Sequence, residues 1–223
     1  MGSSATYVLL PSPLLGPSTW EPVAVALRAA GRACAVVPGA GTSPAEVLAA
    51  LATGLPDGPL VLVPHSNSGL YVPALAERRD VAAAVFVDAA LPARDGGPSP
   101  VAPVGLVDFL RTLADADGML PPWSRWWDAA SLAGLFPDDE TRRRVQAEER
   151  PLPLSYFTDA VPSPPWNHLR CAYLAFGETY ADETRQARAA GWPVEVVDGG
   201  HLEMLHWPER VARRVVALAE GGA

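Results

Sequence analysis

The chain has 223 residues, enough for one well-buried α/β domain, with 49% hydrophobic and 19% charged residues. Its net charge of −8, with no clustered cationic face to offset it, excludes a nucleic-acid surface. There is no lysine, which excludes a Schiff-base nucleophile, a pyridoxal-phosphate anchor and a phosphate-loop lysine.

In chain order, Met1–Thr6 has neither the charged region nor the apolar run of a signal peptide. No stretch has the length of a membrane span, so the expected setting is cytoplasmic and away from membranes. Thr6–Leu10 predicts a strand that ends at the turn-rich Pro-Ser-Pro-Leu-Leu-Gly-Pro. Ser18 or Thr19 would cap a helix from about Trp20 to Ala30, stopped by Gly31. Ala33–Val37 is a second strand, and Ser43 caps a helix through Leu51. Cys34 and Cys171 fall in predicted strands and read as buried, inert thiols.

Leu60–Val63 is a third apolar run, and it breaks at Pro64-His-Ser-Asn-Ser-Gly69 before a helix-compatible stretch from Leu70 to Arg78. A strand, a sharp turn and a helix place a hydroxyl at the apex, with helix N-terminal amides beside it. A nucleophilic serine needs that arrangement. Positions two before and two after the nucleophile must be small. Around Ser66 these are Pro64 and Ser68; around Ser68 they are Ser66 and the bulky Leu70, so Ser66 is the better candidate.

Ala83–Val87 is a fourth strand. Single helices between these strands imply right-handed crossovers and a parallel, doubly wound sheet. The rhythm breaks over residues 92–169, which hold many prolines, Trp123, Trp126, Trp127, Trp166 and amphipathic pieces at 103–116 and 137–149. The run Arg142–Arg144 beside acidic residues reads as a solvated helix face. Alternation resumes with Arg170–Phe176, a helix near Asp182–Ala190, Val194–Val197, and a last helix from about Pro208 to Glu220. The expected organisation is therefore a core domain of residues 1–91 and 170–223 with a cap or lid insertion at 92–169, over the strand ends where ligands bind in open α/β sheets.

A serine nucleophile needs a base and a group to orient it. Of the four histidines, His201 follows a Gly-Gly turn after the last strand, which puts its ring at the same sheet edge as Ser66. His65 adjoins Ser66 and would point away; His168 and His206 lie in other settings.

The strand–elbow–helix with Pro-His-Ser-Asn-Ser-Gly, together with Gly-Gly-His before the last helix, resembles the α/β-hydrolase superfamily over essentially the whole chain. The resemblance implies Ser66 as nucleophile, His201 as base and the Asn67 N–H as one oxyanion donor. The family often carries its acid three residues after the glycine that ends the penultimate strand. Counted from Gly177, that position is Tyr180, which leaves Glu178, Asp182 or Asp88 at the end of the fourth strand. The other oxyanion donor would come from Pro11-Ser-Pro-Leu14, where Pro13 has no N–H, so the Leu14 N–H or the Ser12 hydroxyl would substitute. Leu15, Trp20, Trp126 and Trp127, with Ser12, would line an apolar pocket.

The leading expectation is a serine hydrolase acting on a small-molecule ester or thioester with an apolar or aromatic acyl part, with no cofactor or metal. One alternative is an acyltransferase or thioesterase-like enzyme that takes its acyl group from an acyl carrier protein in specialised metabolism. Another is a non-hydrolytic ligand-binding or cyclase-like scaffold on the same fold.

Overall fold

A computed structural model describes residues 5–221. Its strands are β1 (Thr6–Leu10), β2 (Cys34–Val36), β3 (Leu60–Ser66), β4 (Val81–Ala89), β5 (Ser99–Pro100), β6 (Ala160–Val161), β7 (Cys171–Phe176) and β8 (Val194–Val197). Six of them form a parallel sheet in the order β2-β1-β3-β4-β7-β8, and β5 pairs antiparallel with β6. Every residue of β3 is buried, as expected for a central parallel strand covered on both faces. The strand order reverses between β1 and β3, and β3 carries Ser66 at its carboxyl end, the edge at which open α/β sheets bind ligands.

The helices are α1 (Glu21–Ala29), α2 (Pro44–Gly54), α3 (Val72–Ala76), α4 (Val104–Leu113), α5 (Ala129–Leu132), α6 (Asp139–Glu148), α7 (Leu154–Thr158), α8 (Ala181–Ala189), α9 (Glu203–His206) and α10 (Pro208–Glu220). Right-handed crossovers put α1 on one face of the sheet and α2, α3 and α8 on the other. The last helix, α10, packs against α1. The Ser43 hydroxyl caps α2 by accepting from the Glu46 N–H at 3.3 Å, with Pro44 in the first turn.

Two local expectations are corrected. Ser18 and Thr19 cap no helix: they lie in a 3-10 turn, Pro17–Thr19, and α1 starts after Trp20 with no side-chain cap. The stretch after the elbow is a 3-10 turn, Asn67–Tyr71, before the short α3, rather than one helix from Leu70 to Arg78. Close packing explains the tight turn. A Cβ on Gly69 would lie 2.1 Å from the Ala90 carbonyl oxygen, so only glycine lets the turn meet the end of β4.

The proline-rich stretch between β4 and β7 carries α4 to α7 and the small β5–β6 sheet. The arginines of α6 are exposed, as their charge pattern predicts. Among the described residues no helix is long and apolar enough to cross a membrane.

Gly69→Ala should lower the free energy of unfolding by about 1–3 kcal/mol, the usual cost of forcing a group against fixed backbone. Urea denaturation measures it, and a midpoint equal to that of the unmodified chain would contradict the packing described for this turn.

Candidate active site

Ser66 ends β3 with φ 57° and ψ −132°, a left-handed conformation that a serine adopts only when its surroundings impose it. The imposing contacts come from Ser68. Its hydroxyl accepts from the His65 N–H at 3.0 Å and lies 2.7 Å from the Leu10 carbonyl at the end of β1. Ser68 is thus fully occupied in tying the turn together, which leaves Ser66 as the free hydroxyl at the apex. That hydroxyl lies 3.3 Å from the Tyr180 hydroxyl, and either can donate.

The second strained residue is Asp88, near the end of β4, with φ 41°. Its side chain has no exposure to solvent. A carboxylate so buried is tolerable only with strong partners. One oxygen accepts from the Phe176 N–H at 3.0 Å, and the other accepts from His201 Nδ1–H at 2.6 Å. Tyr173 braces the kink, donating to the Ala89 carbonyl at 2.7 Å and accepting from the Ala89 N–H at 3.0 Å. In the neutral tautomer with Nδ1–H toward Asp88, the free lone pair of His201 is on Nε2.

The other carboxyl candidates lie elsewhere. Glu178 is exposed in the turn after β7, and Asp182 is exposed in the first turn of α8, paired with Arg185. Of the three, only Asp88 meets His201. A parallel β4–β7 pairing that aligns Val87 with Leu174 brings its carboxylate to the Phe176 amide. Gly177, with φ 61°, lets the end of β7 approach the loop bearing His201, since a Cβ there would sit 2.5 Å from the Gly199 carbonyl.

His65 is fully buried but is not idle in the core. Its Nε2–H donates to the His201 carbonyl at 2.9 Å, and the two rings lie tilted against each other at 30° with centroids 4.4 Å apart. A carbonyl can only accept, so this bond fixes the His65 tautomer and leaves a bare, buried Nδ1 with no partner among the described residues. Complete burial, and then the neighbouring His201, push the His65 pKa well below its ordinary 6.5.

On the β1 side, Pro13 has no N–H, as noted, and the Leu14 N–H makes only a long 3.4 Å contact to the Ser12 hydroxyl. Asn67 is locked by its side chain. Tyr71 donates to Tyr156 at 2.8 Å, Tyr156 donates to Asn67 Oδ1 at 2.6 Å, and Asn67 Nδ2–H donates to the Val101 carbonyl at 3.1 Å.

The expected pocket residues are dispersed. Leu15 is buried beside the β1 end. Trp20 is fully buried beneath the site, edge-on to His65 with centroids 6.1 Å apart, so core packing takes it out of any pocket. Trp126 donates to the Pro121 carbonyl at 2.8 Å and packs on Phe157, while the partly exposed Trp127 stacks on Phe109. The tryptophan next to His201 is Trp123, with centroids 6.3 Å apart. Burial pushes the Cys34 thiol up to about 11 and the Cys171 thiol up to about 12, so neither is a thiolate near neutral pH.

Residues 4–214 match the sequence profile of the Alpha/beta hydrolase family. The chain belongs to that family. A search of curated protein sequences finds no match. Among solved structures, this family member is similar to a Paenibacillus extracellular alpha/beta-hydrolase described as sharing structural and functional homology with tobacco Salicylic Acid Binding Protein 2. The TM-score is 0.73 at 16% identity, covering 97% of this chain and 99% of that one. It is also similar to tomato Methylketone Synthase I in complex with 2-tridecanone, with TM-score 0.72 and 14% identity over 99% and 100% of the two chains. A pyrethroid hydrolase from Sphingobium faniae JZ-2 gives TM-score 0.71 and 18% identity over 98% of each. At such identities these likenesses establish the fold.

Within the fold, four tyrosines join the hydrogen bonds around the site: Tyr71, Tyr156, Tyr173 and Tyr180. Tyr180 carried the one available signal, because it stands where an acid was sought.

The buried neutral His65 of this alpha/beta hydrolase sets a pH dependence. Its folded pKa is depressed, so its contribution to stability is complete above about 6.5 and is lost as the pH falls, when the unfolded chain binds a proton that the folded chain refuses. Thermal or urea unfolding between pH 8 and pH 5 should show the unmodified chain losing up to about 1.4 kcal/mol per pH unit more than His65→Gln below that point. Parallel pH profiles would refute the buried neutral imidazole.

Proposed function

We propose that this chain is a serine hydrolase that cleaves an ester with an apolar or aromatic acyl part through an acyl-enzyme on Ser66. One observation carries the reading: a hydroxyl held at a left-handed strand end, with a histidine at the same sheet edge whose Nδ1–H is bonded to a fully buried carboxylate. Ser66 Oγ attacks the carbonyl carbon as His201 Nε2 takes its proton, and Asp88 steadies the resulting imidazolium. The Asn67 N–H and the Leu14 N–H receive the developing oxyanion. Collapse expels the alcohol with the proton from His201, and water, deprotonated by the same nitrogen, releases the acid. Residues 92–169 act as a cap, contributing Trp123 as an apolar wall over His201 and gripping Asn67 through Tyr156 and Val101.

A second reading is favoured by how closed the site is: Ser66 is 7% exposed and the His201 side chain 11%. A covered acyl-enzyme is shielded from water, which suits transfer of the acyl group to an amine, thiol or alcohol, with the group supplied by a small thioester or an acyl carrier protein.

A fluorophosphonate probe should label the unmodified chain at Ser66 and fail on Ser66→Ala, read by mass spectrometry of the tryptic peptide. Asp88→Asn should lower kcat on an activated aryl ester by on the order of 10³–10⁴, while Glu178→Gln leaves it unchanged. Absence of labelling in folded protein would remove both acyl-enzyme readings and leave a non-hydrolytic binding scaffold. Offering amines and alcohols against water during turnover separates transferase from hydrolase.

A further inference from the structure

Tyr180 has no part in the steps above, yet its hydroxyl is the group hydrogen-bonded to Ser66 Oγ, at 3.3 Å. It follows β7 and immediately precedes α8, and its ring centroid is 5.6 Å from that of His201. The sheet order separates the two sides of Ser66. The β1 loop with Ser12 and Leu14 lies on one side, and the ends of β4, β7 and β8, with Asp88, Tyr180 and His201, lie on the other. An ester attacked by Ser66 that turns its carbonyl oxygen toward the Asn67 and Leu14 amides must turn its leaving group to the opposite side, because His201 has to protonate it. The Tyr180 hydroxyl stands on that side.

We propose that Tyr180 is a catalytic residue that donates a hydrogen bond to the leaving-group oxygen, and that it makes this a site for oxygen esters with poor alcohol leaving groups. The inference rests on the Ser66 acyl-enzyme reading. In the step, the Oγ–C bond forms as the Ser66 proton moves to His201 Nε2. The C–O bond to the alcohol then breaks, and that proton passes from Nε2 to the departing oxygen. Tyr180 keeps its own proton and shares it with that oxygen while negative charge gathers there. Burial, with the Asp88 and Glu183 charges adding to it, pushes the Tyr180 hydroxyl well above its ordinary 10, so it stays a donor throughout and is no competitor to His201 as base. Selectivity follows from the acceptor. Sulfur accepts hydrogen bonds weakly, so a thioester gains little from this contact, and an activated phenolate leaves without it.

The test compares the unmodified chain with Tyr180→Phe on three substrates sharing one apolar acyl group: an alkyl ester, the matching alkyl thioester and the p-nitrophenyl ester. Tyr180→Phe should lose roughly 10–100-fold in kcat/KM on the alkyl ester, the value of a hydrogen bond to a developing charge, and under about threefold on the other two. Equal losses on all three would overturn the proposal. Fluorophosphonate labelling of Ser66 at the unmodified rate shows that Tyr180→Phe is folded with a working nucleophile. A variant that is folded by circular dichroism but no longer labels would place the hydroxyl in service of the nucleophile, and the proposal would fall. An unmodified chain that neither labels nor turns over any of the three esters defeats the Ser66 reading first, and this one with it.

Discussion

A carboxylate with no exposure to water dominates the carboxyl end of this sheet. Leaving Asp88 buried without partners would cost several kcal/mol, so the structure around it has to supply two strong donors. They are the Phe176 amide from β7 and the His201 imidazole from the loop after β8. Satisfying that one group fixes how far β4 runs, how β7 registers against it and where the Gly199–Gly200 loop must turn. The same requirement explains the left-handed backbone at Asp88 and the Tyr173 hydroxyl that holds both polar groups of Ala89.

Ser66 is fixed by a parallel device one strand away. Its strained backbone is anchored by Ser68 to the end of β1 and by the absence of a side chain at Gly69 to the end of β4. Strain of this kind costs about 1–3 kcal/mol per residue and persists only where surrounding contacts over-determine it. Both strained residues lie at the carboxyl ends of neighbouring parallel strands. His65 links them from below: its ring lies against that of His201 and its Nε2–H holds the His201 carbonyl, so the residue before the apex also positions the loop that carries His201.

The region between β4 and β7 is joined to this arrangement by polar bonds as well as apolar contact. The chain from Tyr71 through Tyr156 to Asn67, with the Val101 carbonyl on the other side of the same amide, ties the residue after the apex to that region. Movement of that region and the precision of the Asn67 amide are therefore coupled. Trp123 brings an aromatic face to His201, while Trp126 and Trp127 are spent on the region's own packing.

Local pattern determined what local physics can encode. The apolar runs and intervening helices of a parallel sheet, the serine at a strand-ending turn, and a histidine after the last strand were all legible, because each depends on residues within about ten positions. The choice among carboxyls was not legible. Asp88 and His201 are 113 residues apart, and only the pairing of β4 with β7 decides that the carboxylate of Asp88 meets the imidazole while Glu178 faces water. Likewise, the count from Gly177 reaches Tyr180 but does not foretell its contact with a hydroxyl 114 positions earlier. Nor does anything beside His65 foretell a bond to a backbone carbonyl 136 positions later. Sequence fixes which groups are available along each strand and turn; register and burial decide which of them share a proton.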